Sequence, residues 1–271
     1  MFRRSMLVMG VMIALVSACA APAAPAPTSA PNPAPQSQTL TVFAAASLTD
    51  AFAEIGKNFE AAHPGVSVAF NFGGSQNLRT QLEQGAVADV FASANQKEMD
   101  GVVQAGLVVS GTAQVFLTNQ LVVILPSDNP GRIEKLNDLT RPGLKLVLAA
   151  EEVPVGGYAR QVLEKLEAQF GAGFRNQVLA NVVSNEDNVR QVVAKVRLGE
   201  ADAGIVYGSD AVAAPELKTL AIPPESNVIA QYPIAALAHA PHPALAQAFV
   251  DYVLSSVGQA ILKKWGFTPI G

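Results

Sequence analysis

The chain has 271 residues, half of them hydrophobic, with 18 basic and 22 acidic side chains and a net charge of −4. A mildly acidic chain with no basic stripe is poorly suited to neutralising a phosphate backbone, which argues against nucleic acid as a partner. A single cysteine, Cys19, rules out an internal disulfide framework and a multi-cysteine metal site.

Arg3 and Arg4 precede an apolar run over 6–16 that ends in Leu15-Val16-Ser17-Ala18-Cys19. The run is far shorter than the roughly 20 residues needed to span a bilayer. Small residues just before a cysteine fit a lipoprotein signal over 1–18, with cleavage before Cys19 and lipid on its sulfur. From 20 to 38 the chain contains only Ala, Pro, Ser, Thr, Asn and Gln. Such a stretch cannot bury enough surface to offset its ordering entropy. Residues 19–39 therefore read as a lipidated cysteine followed by an Ala/Pro-rich tether. Loss of Arg3 and Arg4 with the signal takes the net charge from −4 to −6.

Beyond the tether, β-rich apolar runs alternate with amphipathic ones. A strand is expected over 40–45. A helix over 48–62 follows, with Leu48, Ala51, Phe52, Ile55 and Phe59 at helical spacing and a stop at His63-Pro64-Gly65. Next come a strand at 66–72, a helix at 75–84 closed by Gly85, a strand at 87–92 and a helix at 96–104 stopped by Gly106. Further strands are predicted at 121–125, 144–148, 178–183, 204–207 and 231–238, with helices at 157–170, 185–199 and 244–264. Helices between apolar strands define an α/β fold with parallel pairing.

Three stretches carry the chemistry. They are Ala44-Ala45-Ala46-Ser47-Leu48-Thr49-Asp50, Phe72-Gly73-Gly74-Ser75-Gln76-Asn77 and Gly204-Ile205-Val206-Tyr207-Gly208-Ser209-Asp210. Each follows a predicted strand, and the first two open helices. A helix start offers free N–H groups and a positive dipole end, so a small hydroxyl residue there makes an anion cradle. None of the three contains Lys or Arg, which implies an anion held by neutral donors and points to capture and release. Taken singly, Ser47 and Ser75 also serve as ordinary N-caps, and Tyr207 as a core tyrosine. Asn188 and Glu186-Asp187 read as helix-entry residues. Arg79 and Arg190 are the candidate anion clamps. Arg79, four residues past Ser75, reads as a bracing residue, and Asp50 as support for its own first turn.

Enzyme readings find little footing. His63, His239 and His242 show no metal-ligand spacing and no companion nucleophile motif. There is no nucleophile elbow and no phosphate loop. Glu151-Glu152 reads as a surface loop, because adjacent side chains point apart.

Together these segments resemble the molybdate-binding proteins of bacterial ABC uptake systems, a branch of the type II periplasmic-binding-protein superfamily. The resemblance runs from about residue 40 to the C-terminus. Besides the three stretches it includes Leu82-Glu83-Gln84-Gly85-Ala86, Ala88-Asp89-Val90-Phe91-Ala92-Ser93-Ala94, Val153-Pro154-Val155-Gly156-Gly157-Tyr158-Ala159, Asn188-Val189-Arg190 and Trp265-Gly266-Phe267.

The resemblance implies two α/β lobes around a ligand cleft. Lobe I would take 40–120 and 230–271, and lobe II 121–229, with hinges near 118–120 and 228–232. It implies that Ser47 and Ser75 give hydroxyls and N–H groups, Val155 and Val189 give N–H groups, and Tyr207 gives its phenolic hydroxyl. Val155 departs from the pattern, which usually has alanine there, but the main-chain donor survives the change. The implied ligand is molybdate, and tungstate with it. Molybdenum would be held as the oxyanion, with no direct protein–metal bond, no cofactor and no catalysis. The implied partner is an ABC permease, and the implied state is an extracytoplasmic monomer anchored to the membrane through Cys19. Two alternatives remain at this stage: a receptor for sulfate or another small anion, and a sensory lipoprotein of the same fold without transport.

Overall fold

A computed structural model describes residues 37–270. The expected signal, Cys19 and most of the expected tether lie outside the described residues. Two sheets form, and their buried faces contribute to one continuous hydrophobic cluster. The first contains β1 (Gln38–Ala45), β2 (Val66–Gly73), β3 (Val90–Ala92), β4 (Gln114–Asn119), β10 (Ala230–Ala236) and β11 (Thr268–Pro269), in the order β11-β4-β10-β3-β1-β2. The second contains β5 (Leu121–Leu125), β6 (Leu146–Ala149), β7 (Val182–Glu186), β8 (Ala203–Tyr207) and β9 (Lys218–Ala221), in the order β7-β6-β8-β5-β9. The β1/β2, β1/β3, β6/β7 and β6/β8 pairs are parallel, as helix-connected strands require, whereas β10 runs antiparallel to β3 and β4.

The helices are α1 (Thr49–Ala62), α2 (Ser75–Glu83), α3 (Gln96–Gln104), α4 (Pro154–Phe170), α5 (Phe174–Ala180), α6 (Val189–Arg197), α7 (Gly208–Val212), α8 (Pro243–Leu254) and α9 (Ser256–Lys264). In lobe I, Phe52 packs at 6.0–6.1 Å ring separation against Phe70, Phe116 and Phe249. In lobe II, Val192 and Val196 of α6 are fully buried beside Val147 and Val206 of the sheet. The chain crosses between the sheets at Gln120, the one residue separating β4 from β5, and again between β9 and β10. Asn227 ties the two crossings together: its Oδ1 accepts the Leu121 N–H at 3.1 Å, and its Nδ2 donates to the Leu121 carbonyl at 2.9 Å.

The α/β expectation holds, and several local expectations need correction. The strand expected over 178–183 is helix up to Ala180. Phe174 and Val178, four apart, face the core, and Asn181 ends the helix by donating to the Leu139 and Arg141 carbonyls. The following strand, β7, carries the pairing instead. The single helix expected over 244–264 is two helices bent by 60°. Ser255 breaks it, with extended backbone (φ −65°, ψ 162°) and its Oγ accepting the Gly258 N–H at 3.2 Å. The helix expected over 185–199 begins only at Val189, because Glu186 still belongs to β7. The helix expected from 157 begins at Pro154, where a proline's missing N–H costs nothing. The short elements β4, β9, β11, α5 and α7 were not foreseen.

Candidate functional site

Four helical segments aim their N-termini at one cavity between the sheets. Its lining includes Ala46 and Ser47 in the 3₁₀ turn before α1, Gly74 and Ser75 opening α2, Val153–Val155 opening α4, and Asn188 and Val189 opening α6. Tyr207 closes it from the end of β8. The space free of protein atoms, mouth included, is about 210 Å³. The five residues singled out in the sequence, Ser47, Ser75, Val155, Val189 and Tyr207, all line it, and each is buried.

The backbone leaves donors where the cavity needs them. In α4 the first helical hydrogen bond is Gly157 N–H to the Val153 carbonyl. Pro154 has no N–H, so Val155 presents the first one that lacks an intrahelical partner. In α6, Asn188 accepts the Gln191 N–H at 3.2 Å. That cap leaves the Val189 N–H, earlier in the turn, without an intrahelical acceptor. Asn188 thus plays its expected capping role while also lining the cavity.

The hydroxyls are set up in the same sense. Ser75 Oγ accepts the Ala94 N–H at 3.0 Å, so its own proton remains to be donated. Ser47 Oγ lies 2.9 Å from the Tyr232 hydroxyl. The Tyr207 hydroxyl is buried and has no hydrogen-bond partner among the described residues. Burial, reinforced by the neighbouring Tyr232, holds its pKa well above the ordinary phenol range, so it stays a protonated donor. A buried hydroxyl without a partner is costly unless a ligand completes it.

Among the described residues no Lys or Arg lines the cavity. Arg190, one residue past Val189, turns away to Asp50 at 2.5 Å, to Asp210 at 3.3 Å and to the Ala46 carbonyl at 3.2 Å. It therefore joins the start of α6 to the first turn of α1. Asp50, read as first-turn support, also has this partner across the cleft. Asp210 is fully buried beneath Tyr207, whose N–H it accepts at 3.3 Å. Burial pushes its carboxyl up to about 7, against the opposing pull of Arg190. Arg79 braces lobe I through Glu98 at 3.2 Å and Glu83 at 3.3 Å. Glu151 is exposed, with only a long contact to Arg160. Among the described residues no group of three or more His, Cys, Asp or Glu could hold a metal ion.

Sequence reasoning missed Tyr232, Gln76 and the cross-cleft role of Arg190. Gln76 Nε2 donates to the Asp187 carbonyl of lobe II at 3.1 Å. Tyr232 lies inside the expected hinge segment 228–232, which was its only signal.

A cleft of neutral donors between two α/β lobes is the site of a solute-binding protein. The comparisons agree. The chain matches the family of bacterial extracellular solute-binding proteins over residues 40–268. It is 41% identical over 263 residues to the molybdate-binding protein ModA of Mycobacterium bovis, covering 96% of this chain and 95% of that one. It is 30% identical over 231 residues to a Bacillus subtilis protein, YvgL, named as an ABC-transporter substrate-binding lipoprotein (85% and 86% covered). Among solved structures, a substrate-binding domain from Clostridium difficile assigned to a molybdenum ABC transporter matches with a TM-score of 0.65 at 31% identity, over 87% of this chain and all of that one. The sulfate-binding protein SubI of Mycobacterium tuberculosis matches with a TM-score of 0.77 at 20% identity, over 86% and 87%, a likeness of fold alone. The chain belongs to the bacterial extracellular solute-binding proteins, in the ModA branch.

Proposed function

We propose that this protein captures molybdate, and tungstate with it, outside the cytoplasmic membrane and delivers it to an ABC permease. The observation that carries the reading is the convergence of four helix N-termini and the unpartnered Tyr207 hydroxyl on one cavity free of lysine and arginine. A tetrahedral dianion has four acceptor oxygens. Hydrogen bonds to a charged acceptor contribute about 1.5–3 kcal/mol each, so a handful of neutral donors can hold it without a counter-charge.

In this reading Ser47, Ser75 and Tyr207 donate hydroxyls, and Val155 and Val189 donate N–H groups. Lobe I takes 40–120 and 230–271, and lobe II takes 121–229. The lobes close over the anion, and the closed form is what the permease recognises. No step requires catalysis, a cofactor or a direct protein–metal bond. The protein works as a monomer, held at the membrane by lipid on Cys19. The YvgL relative, named as a lipoprotein, supports that anchor.

The sulfate alternative draws on the likeness to SubI, which is one of fold alone. Calorimetric titration of anion-stripped protein with molybdate, tungstate, sulfate and phosphate separates the readings. Submicromolar binding of molybdate and tungstate with the other two silent is the expected result. Tight sulfate binding would keep the fold and change the substrate.

A further inference from the structure

We propose that Gln76 is a positioning residue for anion capture: its side-chain amide donates across the cleft to the Asp187 carbonyl, latching the closed form and fixing the turn that presents the Val189 N–H. This rests on the reading of the site as a cleft that closes over an oxyanion.

Gln76 follows Ser75 in the first turn of α2, and Asp187 lies 111 positions on, in the turn from β7 into α6. Gln76 does not itself line the cavity. Its neighbours Gly74 and Ser75 do, and so do Asn188 and Val189, which follow Asp187. The bond therefore joins the two chain segments directly behind proposed donors on opposite sides of the cleft. Its direction is fixed, because a carbonyl oxygen can only accept: the amide atom facing it at 3.1 Å is Nε2. The amide rests on Gly74, where an added Cβ would meet Nε2 and Oε1 at 2.6 Å each.

The turn that receives the bond is otherwise held from within α6. The Asp187 N–H donates to Gln191 Oε1 at 3.1 Å, and Asn188 Oδ1 accepts the Gln191 N–H at 3.2 Å. Neither bond depends on the position of α2. The Gln76 bond does, and by holding the Asp187 carbonyl it orients the planar peptide that leads into Asn188 and Val189. Local stability gives no reason for an amide here. Gln76 Oε1 is buried and has no hydrogen-bond partner among the described residues, an arrangement that costs stability, and other good helix formers would serve α2 as well. The bond across the cleft is what offsets that cost, and a neutral donor makes it without adding a cation beside the anion.

The test is stopped-flow binding and release of molybdate by the wild type, Gln76→Ala and Gln76→Glu, with folding followed by thermal melting. Gln76→Ala is expected to raise the dissociation rate about three- to tenfold and to leave the association rate nearly unchanged, since the bond forms only as the cleft closes. Gln76→Glu carries the signature of the mechanism. When ionised it offers the Asp187 carbonyl no donor and adds negative charge close to the bound dianion; when protonated it regains an O–H donor. Its affinity should lie about tenfold or more below the wild type at pH 8. The gap should shrink as the pH falls to 5, because the nearby dianion raises the glutamate pKa above its ordinary value of about 4.3. Taking the ratio to the wild type at each pH cancels the titration of the ligand itself. A role confined to the packing of α2 would give a gap that does not move with pH. An unchanged dissociation rate in folded Gln76→Ala, or a pH-independent gap in Gln76→Glu, overturns the proposal, and the Gln76→Glu series decides if Gln76→Ala does not fold. A wild type that binds no tetrahedral oxyanion overturns the site reading and this proposal with it. A wild type that binds molybdate while both variants match it overturns the proposal alone.

Discussion

Arg190 Nη2 lies 2.5 Å from Asp50 Oδ2, joining the first turn of α6 in lobe II to the first turn of α1 in lobe I. The same guanidinium reaches the Ala46 carbonyl of lobe I and the buried Asp210 of its own lobe. Its contacts with Asp50 and Ala46 span the cavity from α6 to the start of α1. The cation next to the proposed anion site is thus spent on closure and flanked by two carboxylates, and the cavity is left to neutral donors.

Removing this tie should loosen the closed state without touching a ligand donor. Arg190→Gln is expected to raise the anion's dissociation rate a few-fold and leave the association rate nearly unchanged. The effect is modest because both side chains are about a third exposed, where such pairs contribute roughly 0.2–1 kcal/mol. Stopped-flow release measurements check it, with Asp50→Asn giving a matching change that does not add to the first.

The donors themselves should weigh more. Ser47→Ala and Ser75→Ala are each expected to cost about 1–3 kcal/mol of anion affinity, since a buried ligand oxygen loses its partner. Tyr207→Phe should cost somewhat less if a water fills in. Calorimetry on the three variants reads this directly, and unchanged affinity in both serine variants would contradict the assignment.

Gly74 marks how closely the lobes approach. A Cβ there would run into the Asp187 carbonyl oxygen of lobe II and the Gln76 side chain that bonds to it. Gly74→Ala should prop the cleft ajar and weaken binding tenfold or more while leaving each lobe folded. Solution scattering with saturating ligand should report a more open particle than the wild type.

Asp210 gives a pH dependence of known sign. Its folded-state pKa, raised to about 7 from 3.8 chiefly by burial, means that the folded protein keeps a proton the unfolded chain has lost. This contribution makes stability fall as pH rises from about 4 to 7, by up to ~1.4 kcal/mol per unit. Asp210→Asn should remove that slope. Melting temperatures of both proteins across pH 4–8 check it, and parallel curves would contradict it.

The cavity was legible before the fold because its chemistry is local. Ser47, Ser75 and Tyr207 each sit where a strand ends and a helix begins, and hydroxyl residues at that junction are visible in a linear sequence. Val155 and Val189 were not visible that way. A valine contributes only its N–H, which no side-chain pattern announces, and the family resemblance supplied both. Tyr232 and the Arg190–Asp50 tie were out of reach for another reason: they join residues 185 and 140 positions apart, and no spacing rule connects them. In the fold, the periodic helix α1 was read to within a residue at each end. Helix α5 was taken for a strand because Val178, Leu179, Val182 and Val183 form a β-rich run. What decided otherwise was Phe174 and Asn181, whose roles depend on tertiary contacts.

The most direct test is a crystal structure of the molybdate complex, with the metal located by its anomalous scattering. The account predicts one molybdenum in the cavity, its oxygens within hydrogen-bond distance of the Ser47, Ser75 and Tyr207 hydroxyls and the Val155 and Val189 N–H groups, and no lysine or arginine in contact. A metal outside the cavity, or an oxyanion held by Arg190 after its release from Asp50, would contradict it.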